Sequence, residues 1–241
     1  MKQAISAIKA YLHKYPYSWL LIYPVVHIVF FFSLSLLPLE HTIIECGLDR
    51  QIPFCEWFII PYFSWYIYLF GGVYFFYGVS REDFLRLSIL TIGGMMICLV
   101  TCLVFPTAIA FRPDPVSFTR SNPLIWLVKF IYASDQPWNV FPSMHCYGAI
   151  TITVAILENK AFRKKWWVVV GSLTVGILIC LSTMFIKQHS ALDFVSALAL
   201  AAVIYPFAYR VNWKFLKGPD AAPEIRQTLR RLAEKRRTGK N

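Results

Sequence analysis

Charge is what this chain has least of. Only 15% of its 241 residues are Asp, Glu, Lys or Arg, whereas 57% are hydrophobic. Soluble domains carry about 25% charged and 45–50% apolar residues, so this deficit excludes an ordinary water-soluble globule. Acids are scarcer than bases, 13 against 24, which leaves a net charge of +11. No recognisable nucleic-acid-binding motif accompanies that excess. Basic flanks beside anionic cytoplasmic lipid account for it, and nucleic acid is not an expected partner. The six cysteines lack metal-ligand spacing. The apolar runs lack period-2 alternation, which argues against a β-barrel. No internal repeat is present. The first apolar run is too long for a cleavable signal peptide, is interrupted by Pro24 and is followed by no A-x-A site.

What is there is a series of apolar runs of bilayer length. A helix needs about 17–25 residues to cross the hydrocarbon, and six segments qualify: 17–37, 57–79, 87–110, 142–158, 166–186 and 191–210. The expected fold is all-α, a polytopic six-transmembrane-helix bundle. Residues 1–210 form the membrane unit and 211–241 a basic cytoplasmic tail. Within the first of these, Ala4, Ile5, Ile8, Tyr11, Leu12 and Tyr15 share one stripe, which predicts an interfacial helix over about 1–15. Ile225, Leu229, Leu232 and Ala233 repeat the pattern weakly in the tail, after Pro223.

Loop charges set the orientation. Lys2, Lys9 and Lys14 precede the first span without an acid, and Lys160, Arg163, Lys164 and Lys165 crowd the loop after the fourth. The loop 38–56 instead carries Glu40, Glu45, Asp49 and Glu56 against Arg50. Both termini are therefore expected in the cytoplasm of an integral protein of the plasma membrane. The loops 38–56, 112–141 and 187–190 face outward. Cys98, Cys102 and Cys180 read as packing residues inside spans, as does Cys146, and His27 reads the same way. Cys46 and Cys55 share the first outward loop, where a disulfide is open to them. Gly71-Gly72 and Gly93-Gly94 permit close helix packing.

Ionisable groups at the edge of such runs are expensive and therefore functional candidates. Arg112-Pro113, Pro142-Ser143-Met144-His145 and His189-Ser190-Ala191-Leu192-Asp193 supply a cation, two imidazoles and a carboxylate. His189 and Asp193 are four apart, the spacing that places both on one helix face. A carboxylate that holds one ring nitrogen leaves the other free as nucleophile or base. Pro142 suits a first helical turn, and free amides near Ser143, Met144 and His145 would cradle an anion there. Ser143 serves equally well as a helix cap.

Together with Ser182-Thr183 upstream of His189, these segments resemble the three motifs of the type-2 phosphatidic acid phosphatase superfamily in order, spacing and position near span ends. Asp49-Arg50-Gln51-Ile52-Pro53-Phe54 is similar to bacterial members and to the inositol phosphorylceramide synthase branch. The resemblance implies a lipid phosphatase or phosphotransferase of the membrane that needs no cofactor and no metal. In that reading His189 is the nucleophile that becomes a phosphohistidine, Asp193 orients it, and His145 protonates the leaving alcohol. Arg112, with Ser143, Met144 and Lys187, binds the phosphate of a lipid substrate.

The chain departs from the family pattern in three places. Phe105 stands where the first motif has lysine, Thr183 where the third has arginine, and Met144 where the second often has glycine. Two phosphate-binding cations are thus missing, and Lys187 and Arg120 are the replacements nearby. Fewer cations suit a singly charged diester better than a dianionic monoester, which favours diester chemistry or headgroup transfer. A simple lipid phosphate or polyprenyl diphosphate phosphatase remains the alternative. A non-catalytic lipid transporter or scaffold is the rival of another class, in which loss of His189 leaves function intact.

The loop charges generate a test of sidedness. On intact cells, an impermeant thiol reagent is expected to label a cysteine introduced at Ser117 or Ser121, over the native-cysteine background, and to miss one at Ala161. The reverse pattern would place the motifs on the cytoplasmic leaflet.

Overall fold

The computed structural model describes residues 2–221, 223–225 and 227. Its helices are α1 (Lys2–Lys14), α2 (Tyr23–Leu34), α3 (Gly47–Gln51), α4 (Ile59–Tyr77), α5 (Arg81–Val104), α6 (Pro123–Ser134), α7 (Met144–Glu158), α8 (Trp166–Phe185) and α9 (Ala191–Tyr209). A 3₁₀ turn, Pro16–Ile22, runs straight into α2, and another, Glu56–Phe58, into α4. The sheet content among the described residues is one parallel pair, β1 (Thr42–Ile43) on β2 (Thr107–Ala108). The protein is all-α. Among the described residues, five helices are long and apolar enough to cross a membrane: Pro16–Leu34, Glu56–Tyr77, Arg81–Val104, Trp166–Phe185 and Ala191–Tyr209.

Three differences from the sequence expectations have physical causes. The third span begins at Arg81, not 87, because Ser80 caps it and accepts from the Asp83 amide at 3.1 Å, with Glu82 and Asp83 favourable in the first turn. It ends at Val104, before Pro106. The fourth segment is only 15 residues long, Met144–Glu158. At 1.5 Å per residue it rises about 22 Å, less than the roughly 30 Å of hydrocarbon. And the loop 112–141 contains α6, whose cap Asn122 accepts from the Ile125 amide at 2.8 Å and whose Pro123 occupies the first turn. It is 12 residues long and apolar, too short for a span and so read as loop.

The short helix α7 is central and packs against α4, α5, α8 and α9. Tyr147 shows why the packing is close. Its ring is fully buried against Gly94, where an added Cβ would lie 1.9 Å from Tyr147 Cζ, and its hydroxyl donates to the Leu90 carbonyl at 2.7 Å. Small residues bring membrane helices together in this way. At the opposite end from the motifs, Arg86 Nη1 donates to the Ala208 carbonyl at 2.8 Å, satisfying the last turn of α9. Nearby, Tyr15, Tyr17, Tyr77 and Phe84 join Leu216 and Ala221 in a second cluster that holds the start of the tail. The tail stripe at Leu229, Leu232 and Ala233 lies outside the described residues. In α1, Ile5 and Ile8 are exposed. Cys46 and Cys55 are free thiols.

The Tyr147–Gly94 contact leaves no space for a side chain. Gly94→Ala is expected to force α5 from α7 at a cost of about 1–3 kcal/mol, read as a lower thermal midpoint in detergent. Gly171→Ala, which meets nothing within 4 Å, serves as the neutral comparison.

Candidate active site

Helices α7 and α9 begin side by side, and their caps place the two imidazoles. Ser190 caps α9. Its Oγ accepts from the Leu192 amide at 3.1 Å, and Asp193 Oδ2 accepts from the Ser190 amide at 2.9 Å, a reciprocal capping box. The same Oδ2 lies 3.2 Å from His189 Nδ1, so the cap carboxylate also fixes the ring. Ser143 caps α7. It accepts from the Cys146 amide at 3.2 Å, and its own amide donates to the Asp193 carbonyl at 3.2 Å. Ser143 is therefore a buried structural cap joining the two helix starts. The first-turn amides of Met144 and His145 are the donors left over.

The His145 ring stacks on Tyr62 at 4.6 Å and lies 4.4 Å from Trp65, and its Nε2 has no partner. It stands 5.7 Å from the His189 ring, centroid to centroid. Both rings line a cavity of about 380 Å³ walled by α2 (His27, Phe31), α4 (Trp65, Tyr66) and α6 (Phe130), with Met144, Asp135 and Trp138 at its edge. His27 thus faces this cavity, while its Nδ1 lies 3.0 Å from the Tyr23 hydroxyl. Burial disfavours a charged His189, but the Asp193 hydrogen bond and charge outweigh it and raise the His189 pKa.

Arg112 does not line this cavity; it lines a separate recess with Tyr132, Gln136 and Pro137. One Nη donates to the Asp135 carbonyl at 2.8 Å, the other bonds Gln188 Oε1, and the guanidinium lies 4.6 Å from the Tyr132 ring centroid. Gln188 passes the link inward, since its Nε2 donates to Asp135 Oδ2 at 3.3 Å, which also accepts from the Tyr62 hydroxyl at 3.3 Å. Burial raises the Asp135 pKa against the opposing charges of His189 and Arg112. The sequence reading missed Asp135, Gln188 and Tyr62; the polar pair next to His189 and the acid ten residues before His145 were the only signals.

Lys187 is not brought to the cavity. Its ammonium donates to the carbonyls of Asp49, at 2.6 Å, and Ile52, in a separate recess. Burial lowers its pKa, with Asp49 opposing. Arg120 pairs with Glu56 at 2.9 Å. Thr183 is buried, its hydroxyl donating to the Cys180 carbonyl at 2.8 Å and lying 3.5 Å from Cys146 Sγ. Phe105 lines an apolar recess with Val100 and Val104. Neither Phe105 nor Thr183 lines the cavity of the two histidines, although the Thr183 carbonyl accepts from the His189 amide at 3.1 Å. Among the described residues no group of three His, Cys, Asp or Glu forms a metal-ligand set.

Asp49 supports the whole arrangement from α3. Its Oδ2 accepts from Ser190 Oγ at 2.6 Å and from the Cys46 amide at 2.8 Å, and its Oδ1 accepts from the Ala191 amide at 2.8 Å. Burial alone would raise its pKa; these donors outweigh burial and lower it.

No family model and no solved structure matches the chain. It is 27% identical over 175 residues to the undecaprenyl-diphosphatase BcrC of Bacillus subtilis, which covers 73% of this chain and 79% of that protein. It is 22% identical over 222 residues to an uncharacterised protein of Methanocaldococcus jannaschii, covering 83% and 87% respectively.

Asp49→Ala is expected to leave Ser190 Oγ and the Ala191 amide without their acceptor, to lower stability by about 1–3 kcal/mol and to reduce any turnover that depends on His189. Because the folded pKa of Asp49 is depressed, its contribution is present above the unfolded value of 3.8 and is lost as pH falls through the folded one. Acid titrations of the thermal midpoint of wild type and Asp49→Asn check this: the wild type is expected to show the steeper loss.

Proposed function

We propose that this chain is a membrane-embedded lipid phosphatase or phosphotransferase that works through a phosphohistidine. The observation that carries the reading is the pair of imidazoles on one cavity, with His189 Nδ1 held by Asp193 and the opposite nitrogen left free. His189 Nε2 attacks phosphorus as the bond to the leaving alcohol breaks, and His145 gives that alcohol a proton. His145 then takes a proton from water or from an acceptor alcohol, whose oxygen displaces His189. Asp193 keeps the proton on Nδ1 and stabilises the charge on the ring. Phosphoryl transfer asks the protein for positioning and charge stabilisation, and Arg112 with the first-turn amides of α7 supplies them. The similarity to an undecaprenyl-diphosphatase supports a lipid-linked phosphoester as substrate.

In this reading α7 completes a six-helix bundle over residues 1–210, and the site lies on the outward face of the plasma membrane with both termini inside. The scarcity of cations favours a phosphodiester or headgroup transfer: Lys187 and Arg120 are engaged elsewhere, and Thr183 and Phe105 bring no charge. A polyprenyl diphosphate is the second reading, favoured by the same similarity.

Purified protein given radiolabelled phosphatidate, a polyprenyl diphosphate and phospholipid diesters is expected to turn over the diesters faster than phosphatidate. The polyprenyl diphosphate as best substrate would select the second reading, and no turnover of any would reject both. His189→Ala is expected to abolish activity and Asp193→Asn to cut it by about 100-fold or more. The raised His189 pKa places the acid limb of kcat/KM above the usual histidine value of about 6.5. His145→Ala is expected to slow esters of poor alcohol leaving groups far more than nitrophenyl esters, which need no proton. Equal losses would make His145 a binding group.

A further inference from the structure

Asn139 lies in the segment that joins α6 to α7, six residues before His145. It is 3% exposed, and neither its Oδ1 nor its Nδ2 has a hydrogen-bond partner. Buried side-chain amides are ordinarily paired. Its backbone is also in the left-handed region, with φ 58°, a conformation that asparagine tolerates but that surrounding contacts must hold. Those contacts are present. The Asn139 amide donates to the Thr107 carbonyl at 2.6 Å, the Phe141 amide to Thr107 Oγ1 at 3.1 Å, and the Cys102 thiol lies 3.5 Å from the Asn139 carbonyl. They fix the main chain on β2 and α5 and leave the side chain out of the network. Asn139 is among the residues that line the cavity shared by Asp135, His145 and His189.

Three observations therefore coincide on one residue: an imposed backbone conformation, a buried side-chain amide with both polar atoms unpaired, and a position in the wall of the cavity that both imidazoles also line. From them we infer that Asn139 is a substrate-binding residue whose Nδ2–H donates to a nonbridging phosphoryl oxygen. The inference rests on the phosphoryl-transfer reading above. An uncharged donor fits what the site lacks, because Arg112 is engaged by Gln188 and the Asp135 carbonyl and lines a separate recess. Donors fixed before the substrate arrives need no reorganisation during transfer. A carboxamide adds no positive charge, so it serves a phosphoryl group carrying one negative charge better than one carrying two.

Asn139→Gly tests the contact without disturbing the backbone, since glycine adopts positive φ freely. Using the substrate found to turn over, kcat/KM is expected to fall about 10- to 100-fold, the range for a lost hydrogen bond to a charged group, with the thermal midpoint not lowered. Asn139→Asp is expected to fall further at neutral pH, where a carboxylate would face the phosphoryl oxygens. Its activity relative to wild type at each pH is then expected to recover as the pH drops, because a protonated carboxyl again offers a donor. Wild-type kcat/KM in both variants, while His189→Ala is inactive, would overturn the role of Asn139 alone. A lowered midpoint in Asn139→Gly with an Asn139→Asp profile parallel to wild type would make the residue structural and also overturn it. Full activity in His189→Ala would instead overturn the reading on which the inference rests.

Discussion

One carboxylate oxygen, Asp193 Oδ2, receives both the amide that starts α9 and the ring nitrogen of His189. The rest of the site follows from that double acceptance. The cap fixes Asp193 relative to the helix axis, so the ring is oriented by the same bonds that make the helix begin. The Asp193 carbonyl takes the Ser143 amide, so α7 and hence His145 are positioned from the same residue. Asp49 grips Ser190 and Ala191 from a separate segment of chain, and Lys187 ties that segment's carbonyls back to the 187–190 turn. Helix initiation, loop docking and imidazole placement are thus a single hydrogen-bonded unit, and a defect in one member is felt by all.

Much of this was legible in the residues. The spans at 57–79, 166–186 and 191–210 are reproduced to within about two residues, because continuous apolar composition over bilayer length has few other outcomes. The His189–Asp193 contact follows from their spacing. Less legible were features that depend on where separate segments meet. Asp49 sits in a motif that could be noticed, but Ser190 and Ala191, the partners that tie it to the site, lie about 140 residues away. Lys187 looked like a phosphate ligand because it is a cation two residues from His189; a left-handed backbone at that position accompanies a side chain bonded to Asp49 and Ile52 instead. Helix α6 was passed over because a length criterion for spanning does not see a 12-residue apolar helix. Asp135 and Gln188 carry no periodic or motif signal, only their nearness in the chain to His145 and His189.

The electrostatics are unusual for a site read as handling phosphate. Arg112 is linked to the histidine pair through Gln188, the residue before His189, and it already satisfies a carbonyl and an amide oxygen. Asp135 adds an acid to the wall of the cavity itself. A network of this kind is sensitive to the state of each member, since burial strengthens both favourable contacts and unpaired costs. It discriminates by total charge as much as by shape.

The cavity walls have a further consequence. The side chains that α2, α4 and α6 present to it are largely aromatic, while α2 and α4 also expose Val25, Val29, Ile60 and Ile67. On the proposed function, a ligand with a hydrocarbon tail would reach such a cavity from a solution whose solvent is lipid. Its effective concentration is then a mole fraction in the bilayer. Adding inert lipid at constant ligand dilutes it and lowers occupancy, whereas adding buffer leaves occupancy unchanged.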